Sequence, residues 1–271
     1  MIRVFFIACL SIVFAGITQG QEYRTDKPGK EIEFAGYLFN TRQYEYAAEE
    51  YLKLVYLHPS DPLLKKRALE SFRLSGDLEG GLYFSKVFME PRKESTLVFY
   101  NEMVKLRMLA GVPVLSSEQP LDSSLFPEQY KESFLLNHML AYEWEEVHNH
   151  ANTIRSSPLF PFSHNTPENY YISPFLAASL SAVIPGTGKI YAKRWKEGLA
   201  SLVFIGLTGY QSYRGFKKSG VESIYGWVSG SLCFGFDLGN IYGSQKAAKN
   251  YNQKLNENYR NEIINFYMDN Y

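Results

Sequence analysis

The chain runs to 271 residues, with 28 Lys plus Arg against 28 Asp plus Glu and 16% aromatic residues, among them 21 Tyr and 19 Phe. A net charge of zero gives no long-range field to gather a polyanion, which argues against nucleic acid and strongly acidic partners. The length admits two structural units at roughly 100–200 residues each.

Residues 1–20 have the layout of a secretory signal. Arg3 supplies the positive start, Val4 to Ile17 the apolar stretch, and Thr18 and Gly20 the small residues before a cut ahead of Gln21. The same stretch is near the length at which an uncleaved anchor helix becomes feasible. Cys9 follows too short an apolar run for a lipoprotein cut. Cleavage leaves Cys233 as the single cysteine, so stability in an oxidising compartment has to come from packing and not from an intrachain disulfide.

Residues 21–157 are expected to form a helical-repeat domain, because from about residue 31 to 160 apolar residues recur with helical period between short Pro, Gly, Ser and Asp breaks. Within the first unit a ring at Tyr44 opens a helix, the small Ala47 follows three positions on, Tyr51 comes a turn later and Pro59 ends the unit. A small residue at a helix crossing lets two axes approach while rings fill the groove on either side. This arrangement resembles a tetratricopeptide repeat. Thirty-four residues further, Gly76-Asp77-Leu78 and Gly81 repeat the turn and small positions with Phe72 and Phe84 as rings, and Tyr142, Trp144 and Val147 give a weaker third match beyond a degenerate stretch. The resemblance implies an array of helical hairpins whose surface binds a protein or peptide.

Pro158, Pro161, Pro167 and Pro174 punctuate residues 158–173, which read as a linker or a closing cap. Residues 174–245 then read as a membrane module. Three charge-free runs follow one another: Asn169 to Gly188, Gly198 to Tyr213, and Ser223 to Gln245 interrupted only by Asp237. Each approaches the roughly 20 residues a helix needs to cross hydrocarbon. The competing reading is a buried helical hairpin in a soluble domain. Basic residues flank every run, so the positive-inside rule gives no clean orientation.

Pro185, Gly186, Gly188, Tyr191, Arg194 and Gly198 join the first two runs. An apolar helix, Pro-Gly-x-Gly-x-x-Tyr, a basic residue and a second Gly-containing helix resemble a family of small bacterial membrane hairpin modules. The resemblance implies membrane residence and no particular activity. Such modules commonly carry glycine after the Tyr, where this chain has Ala192 and Lys193.

In the last run Gly226, Gly230, Gly235, Gly239 and Gly243 lie mostly four apart, which predicts a helix face cleared for close packing or a homo-oligomer. Asp237 sits amid them as a candidate intramembrane acid. Residues 246–271 form a polar tail with a narrow stripe of Tyr251, Leu255, Tyr259, Ile263 and Phe266, fit to pack on a neighbour or lie on a membrane surface.

No pattern of catalytic residues stands out. Gly186-Thr187-Gly188-Lys189 lacks the upstream glycine and the following hydroxyl of a phosphate loop, Val183 and Ile190 standing in those places. His148 and His150 beside Glu145 and Glu146 are two apart on a helix and point about 200° from each other, so they do not share a metal. No metal, cofactor or nucleophile motif is expected. The sequence therefore predicts an all-α protein, tetratricopeptide-like hairpins followed by a membrane hairpin or three-helix module. The expected role is a non-enzymatic scaffold in a bacterial envelope, touching a protein partner and membrane lipid. The alternative is a component of a membrane transport or insertion assembly.

Overall fold

The computed structural model describes residues 28–90, 93–115 and 122–271, so the expected signal segment lies outside the described residues. Among them every regular element is helical, and the fold class is all-α. The chain divides into two compact units between Ala110 and Gly111.

The first unit contains α1 (Pro28–Asn40), α2 (Tyr44–Leu57), α3 (Pro62–Ser75), α4 (Leu78–Phe88) and α5 (Ser95–Ala110). Helices adjacent in the chain pack on one another from α1 to α4, and α5 lies on both α3 and α4. Local chemistry sets the boundaries. Asp61 accepts from the Leu63 and Leu64 amides ahead of Pro62, and Asp77 accepts from the Gly80 amide, so two helix starts are capped where free N–H groups would otherwise stand. Arg42 (φ 62°) and Gly76 (φ 84°) take the left-handed conformation at the same place in successive hairpins, ending α1 and α3.

Small residues sit where these axes approach. Ala35, Ala47 and Ala68 are fully buried, and a Cβ on Gly81 would stand 2.7 Å from Leu106 Cδ2. Rings fill the flanks: Phe39 meets Tyr44 edge-on at 5.4 Å, and Phe72 stacks on Phe84 at 5.5 Å. Tyr51 is buried, and that burial holds its hydroxyl pKa above the ordinary value, while Pro59 lies in the turn after α2. Beneath α3 and α5 the buried Glu102 takes Arg73 at 2.8 Å and Lys105 at 3.3 Å, so no charge in that cluster is left without a counterpart.

The second unit holds α6 (Pro127–Ala141), α7 (Trp144–His150), α8 (Phe160–His164), α9 (Pro174–Val183), α10 (Thr187–Tyr191), α11 (Trp195–Ser219) and α12 (Ile224–Asn270), with 3-10 turns at Ala151–Ile154, Pro167–Tyr170 and Gly220–Glu222. α6 and α7, grouped by sequence with the repeats, belong to this unit. The expected polar tail is the second half of α12, a 47-residue helix with no Pro to stop it and with helix-forming Lys, Ala, Gln, Glu and Leu in that half. Its stripe packs on neighbours within the unit: Tyr259 meets Trp144 edge-on at 5.3 Å and donates to the Phe162 carbonyl at 2.7 Å, and Ile263 is fully buried. Asn252 both accepts from the Ile172 amide and donates to its carbonyl, each at 3.0 Å. Residues 158–173, with Leu159, Ser163 and Thr166 fully buried, thus close the unit as a cap.

The first charge-free run is not one helix. Asn169 to Gly188 divides into a 3-10 turn, the 10-residue α9, the Pro-Gly turn and α10. At roughly 1.5 Å per residue α9 is about 15 Å long, half the hydrocarbon thickness. Pro174 starts it and Pro185 follows its end, which limits how far the helix runs. No helix among the described residues is long and apolar enough to cross a membrane.

Candidate functional site

Of the residues that sequence patterning singled out, Gly186, Gly188, Tyr191 and Gly198 meet where α9, α10, α11 and α12 converge. Gly186 takes φ 87°, and a Cβ there would lie 2.0 Å from the Gly198 carbonyl oxygen. A Cβ on Gly188 would lie 1.8 Å from the Ala177 carbonyl oxygen. Both contacts are backbone against backbone, so only glycine fits. The Gly188 amide donates to Ser181 Oγ at 2.9 Å, and Ser181 Oγ shares a hydrogen bond with Ser244 Oγ at 2.7 Å, tying the turn to α12. Tyr191 accepts from the Ser173 amide at 3.3 Å and closes the loop back to the start of α9. Ala177, Ala192, Ala247 and Ala248 form the packed centre, flanked by Ile172 and Tyr191.

Lys193, standing where the resembling modules commonly carry glycine, adopts φ 64°. The Arg194 amide donates to the Lys189 carbonyl at 2.8 Å across that residue, closing the turn over a strained backbone. Arg194 forms a loose, exposed pair with Glu197 at 3.3 Å. Trp195 and Lys196 beside it are exposed.

The glycine stripe of α12 is two faces and not one. A Cβ on Gly226 would stand 2.9 Å from the Phe216 ring, and one on Gly230 would stand 2.9 Å from Ser212 Oγ, so both face α11. Gly235 and Gly239 have nothing within 4 Å, and Gly243 faces Lys189 at 3.3 Å. The cause is arithmetic: at about 100° per residue a step of four drifts about 40°, but the step of five from Gly230 to Gly235 turns the stripe about 140°. Gly215, which patterning missed, brings α11 backbone against α12 backbone, its Cβ position being 2.7 Å from Gly226 Cα. Its place across the Ser219 to Ser223 turn from Gly226 was the available signal.

The seam of α12 against α11 and α9 is polar and small: Ser229, Asn240 and Ser244 are buried. Asp237 Oδ1 and both amide atoms of Asn240 are buried without a hydrogen-bond partner. The outward faces are the reverse. Leu199, Val203, Phe204, Leu207, Tyr210 and Tyr213 on α11, and Trp227, Val228, Leu232, Phe234, Leu238 and Tyr242 on α12, are all exposed. Two grooves open on this hairpin. One of about 660 Å³ at its tip is lined by Leu207, Tyr210, Arg214, Lys218 and Tyr225. The other, about 500 Å³, runs between Lys189, Glu197, Ser201 and Phe204 on one side and Gly235, Phe236, Gly239 and Asn240 on the other.

Elsewhere the histidines are engaged singly: His148 Nε2 meets Glu168 at 2.6 Å, and His150 Nδ1 meets the Glu146 carbonyl at 3.0 Å. Among the described residues no group of three or more His, Cys, Asp or Glu side chains is arranged to hold a metal. In the first unit Tyr37, Tyr46, Tyr56 and Tyr83 are exposed, and a groove of about 540 Å³ runs along Leu52, Lys53, Tyr56 and Leu57 with Glu31 and Glu50. Compared with the family models, the curated proteins and the solved structures, the chain matches none of them.

Proposed function

We propose that the protein is a non-enzymatic scaffold of a bacterial envelope, held in a membrane by α9 to α12 and binding a protein or peptide through its first helical unit. One observation carries the anchoring: the exposed face of the α11–α12 hairpin is a band of Leu, Val, Phe, Tyr and Trp with no charged residue from Gly198 to Tyr213, and only Asp237 from Ser223 to Gln245. Soluble monomers rarely leave so long an apolar surface open. Small residues inside and large apolar ones outside are the pattern of helices packed in lipid, where burial of Leu against Leu brings no hydrophobic gain.

The mean hydropathy of α11 is lowered by the charged residues at its two ends and by its polar seam residues, and that of α12 chiefly by its charged second half. Ser212, Ser229, Asp237, Asn240 and Ser244 occupy the seam, and the outward face alone is apolar. The two helices would therefore enter lipid as a pair. Trp195 with Lys193, Arg194 and Lys196 at one end, and Trp227 with Arg214, Lys217 and Lys218 at the other, supply aromatic and basic residues suited to headgroup level at both boundaries.

The exposed tyrosines of the first unit support the partner-binding half of the reading, since Tyr brings contact area and a hydroxyl at low entropic cost. The experiment is flotation of the full chain with lipid vesicles at high salt, beside the variant Phe204→Asp/Phe234→Asp. The reading expects wild type to float and the double variant to partition at least tenfold less. Wild type remaining at the bottom of the gradient defeats it.

A second reading, a transport or insertion component with Asp237 as its working acid, is favoured only by the unpartnered Asp237 Oδ1. Asp237→Asn would abolish such work at unchanged membrane abundance, and leave a plain anchor unaffected.

A further inference from the structure

The groove between α10, α11 and α12 combines features that an anchor does not need. Asn240 is 3% exposed, lines this groove, and neither its amide nitrogen nor its amide oxygen has a partner. An unpaired buried amide is a standing cost that most folds remove. Gly235 and Gly239 line the same groove with open space where their side chains would be, so α12 leaves a channel there without using it for its own packing. The volume, about 500 Å³, is in the range of about 300–1,000 Å³ that small-molecule sites occupy.

The lining is amphiphilic. Ala200, Phe204, Ile205 and Phe236 are apolar, whereas Lys189, Glu197, Ser201 and Asn240 are polar. The Lys189 ammonium donates to Ser201 Oγ at 2.7 Å and forms no ion pair among the described residues. Its remaining N–H bonds are free for an anion. The Glu197 carboxylate is held only by the loose Arg194 pair, exposed on both sides. One cation and one anion on one wall, and on the other an amide that carries both a donor and an acceptor, thus bound the groove.

The geometry points to a single phospholipid with a zwitterionic, primary-ammonium headgroup as the occupant. Its phosphate meets Lys189, its ammonium meets Glu197, an acyl chain lies along Gly235, Gly239, Phe204 and Phe236, and the Asn240 amide, closed to water behind the groove wall, turns to meet the headgroup. A purely anionic lipid would leave Glu197 facing a like charge. A second copy's apolar helix would leave Lys189, Glu197 and Asn240 without counterparts. This inference rests on the membrane reading above, and its test separates the two.

The full chain, extracted in mild detergent, is titrated with phosphatidylethanolamine, phosphatidylglycerol, phosphatidylcholine and inorganic phosphate, and retained ligand is read by native mass spectrometry. Wild type is expected to hold one phosphatidylethanolamine at least tenfold more tightly than either other lipid. Gly239→Leu adds bulk to the groove at a position where the Cβ meets no atom within 4 Å, and should lower retention at least tenfold. Glu197→Gln should erase the preference over phosphatidylglycerol. Vesicle flotation of each variant should be unchanged.

Equal retention of the three lipids, undiminished retention in Gly239→Leu, binding of inorganic phosphate without lipid, or a crosslinked second copy at Gly239 in place of lipid would each overturn the inference. A chain that floats but retains no lipid removes this proposal alone, and a chain that does not float removes both.

Discussion

The two regions of the molecule place the same kinds of side chain in opposite positions. In the first unit Phe72, Phe88, Phe99 and Tyr100 are buried beside Leu64, Leu69 and Leu106. In the α11–α12 hairpin Phe204, Phe234, Trp227 and Tyr242 are each more than 60% exposed, and the inside is Ala, Gly, Ser and Asn. Water rewards the first arrangement, because each large apolar side chain withdrawn from it contributes about 1.5–3 kcal/mol. It penalises the second. Apolar surroundings reverse the ranking: small residues then gain by close dispersion contact, and exposed rings lose nothing. The same kinds of side chain thus yield one unit arranged as water favours and one hairpin arranged as the proposed membrane setting would favour.

The sharpest way to break this comparison is to put a side chain at a backbone crossing. Gly188→Val would drive a Cβ into the Ala177 carbonyl and is expected to cost at least about 3 kcal/mol, read as loss of protease resistance of the hairpin in detergent. Gly235→Ala on the open face is expected to change stability by under about 1 kcal/mol and in the stabilising direction, since Ala is the better helix former and meets no atom. Equal effects at the two positions would remove the distinction between packed and open glycines.

In the first unit Gly81→Leu overfills the contact with Leu106 and Phe72 and should lower stability by about 1–3 kcal/mol, measured by chemical denaturation, while flotation with vesicles stays intact. Loss of flotation there would mean that the anchor does not lie in the hairpin alone. Lys193→Gly relieves a positive φ and should stabilise the turn by about 1 kcal/mol against the entropy glycine adds to the unfolded chain.

The smallest expected effect is a pH dependence. Burial, with Glu262 as the lesser cause, pushes the Tyr259 hydroxyl above its ordinary pKa. Between the unfolded pKa near 10 and the folded one, the unfolded chain binds fewer protons, so stability falls as pH rises through that window. Tyr259→Phe should flatten the alkaline limb and cost about 1 kcal/mol at neutral pH through loss of the hydrogen bond to the Phe162 carbonyl. An unchanged alkaline limb would show that Tyr259 is not the group responsible.

Much of this was legible in the chain itself, and the exceptions have physical causes. Tyr44, Ala47, Tyr51 and Gly76 could be read because helix starts, crossings and left-handed ends depend on residues close in sequence. Gly186 and Gly188 were legible for the same reason, although their close contacts with Gly198 and Ala177 were not. The glycine stripe misled because spacing was counted as nearly four, when a single step of five turns the face. Asn240, Ser181 and Ser244 went unnoticed because a small polar residue in an apolar run carries no periodic signal. Its meaning comes from a helix distant in the chain. Residues 158–173 could be read only as a linker or a closing cap, because short helices with Pro in their first turn have no period to detect; the Phe162 ring packs on Tyr259 and Phe266 of α12.

The most direct test of the inside-out hairpin is tryptophan quenching in vesicles whose acyl chains carry bromine at mid-depth, using full-length Phe234→Trp in a background where Trp195 and Trp227 are Phe. The account predicts strong quenching at position 234 and none of the buried Trp144. An unquenched position 234 with protein bound to the vesicle would contradict it.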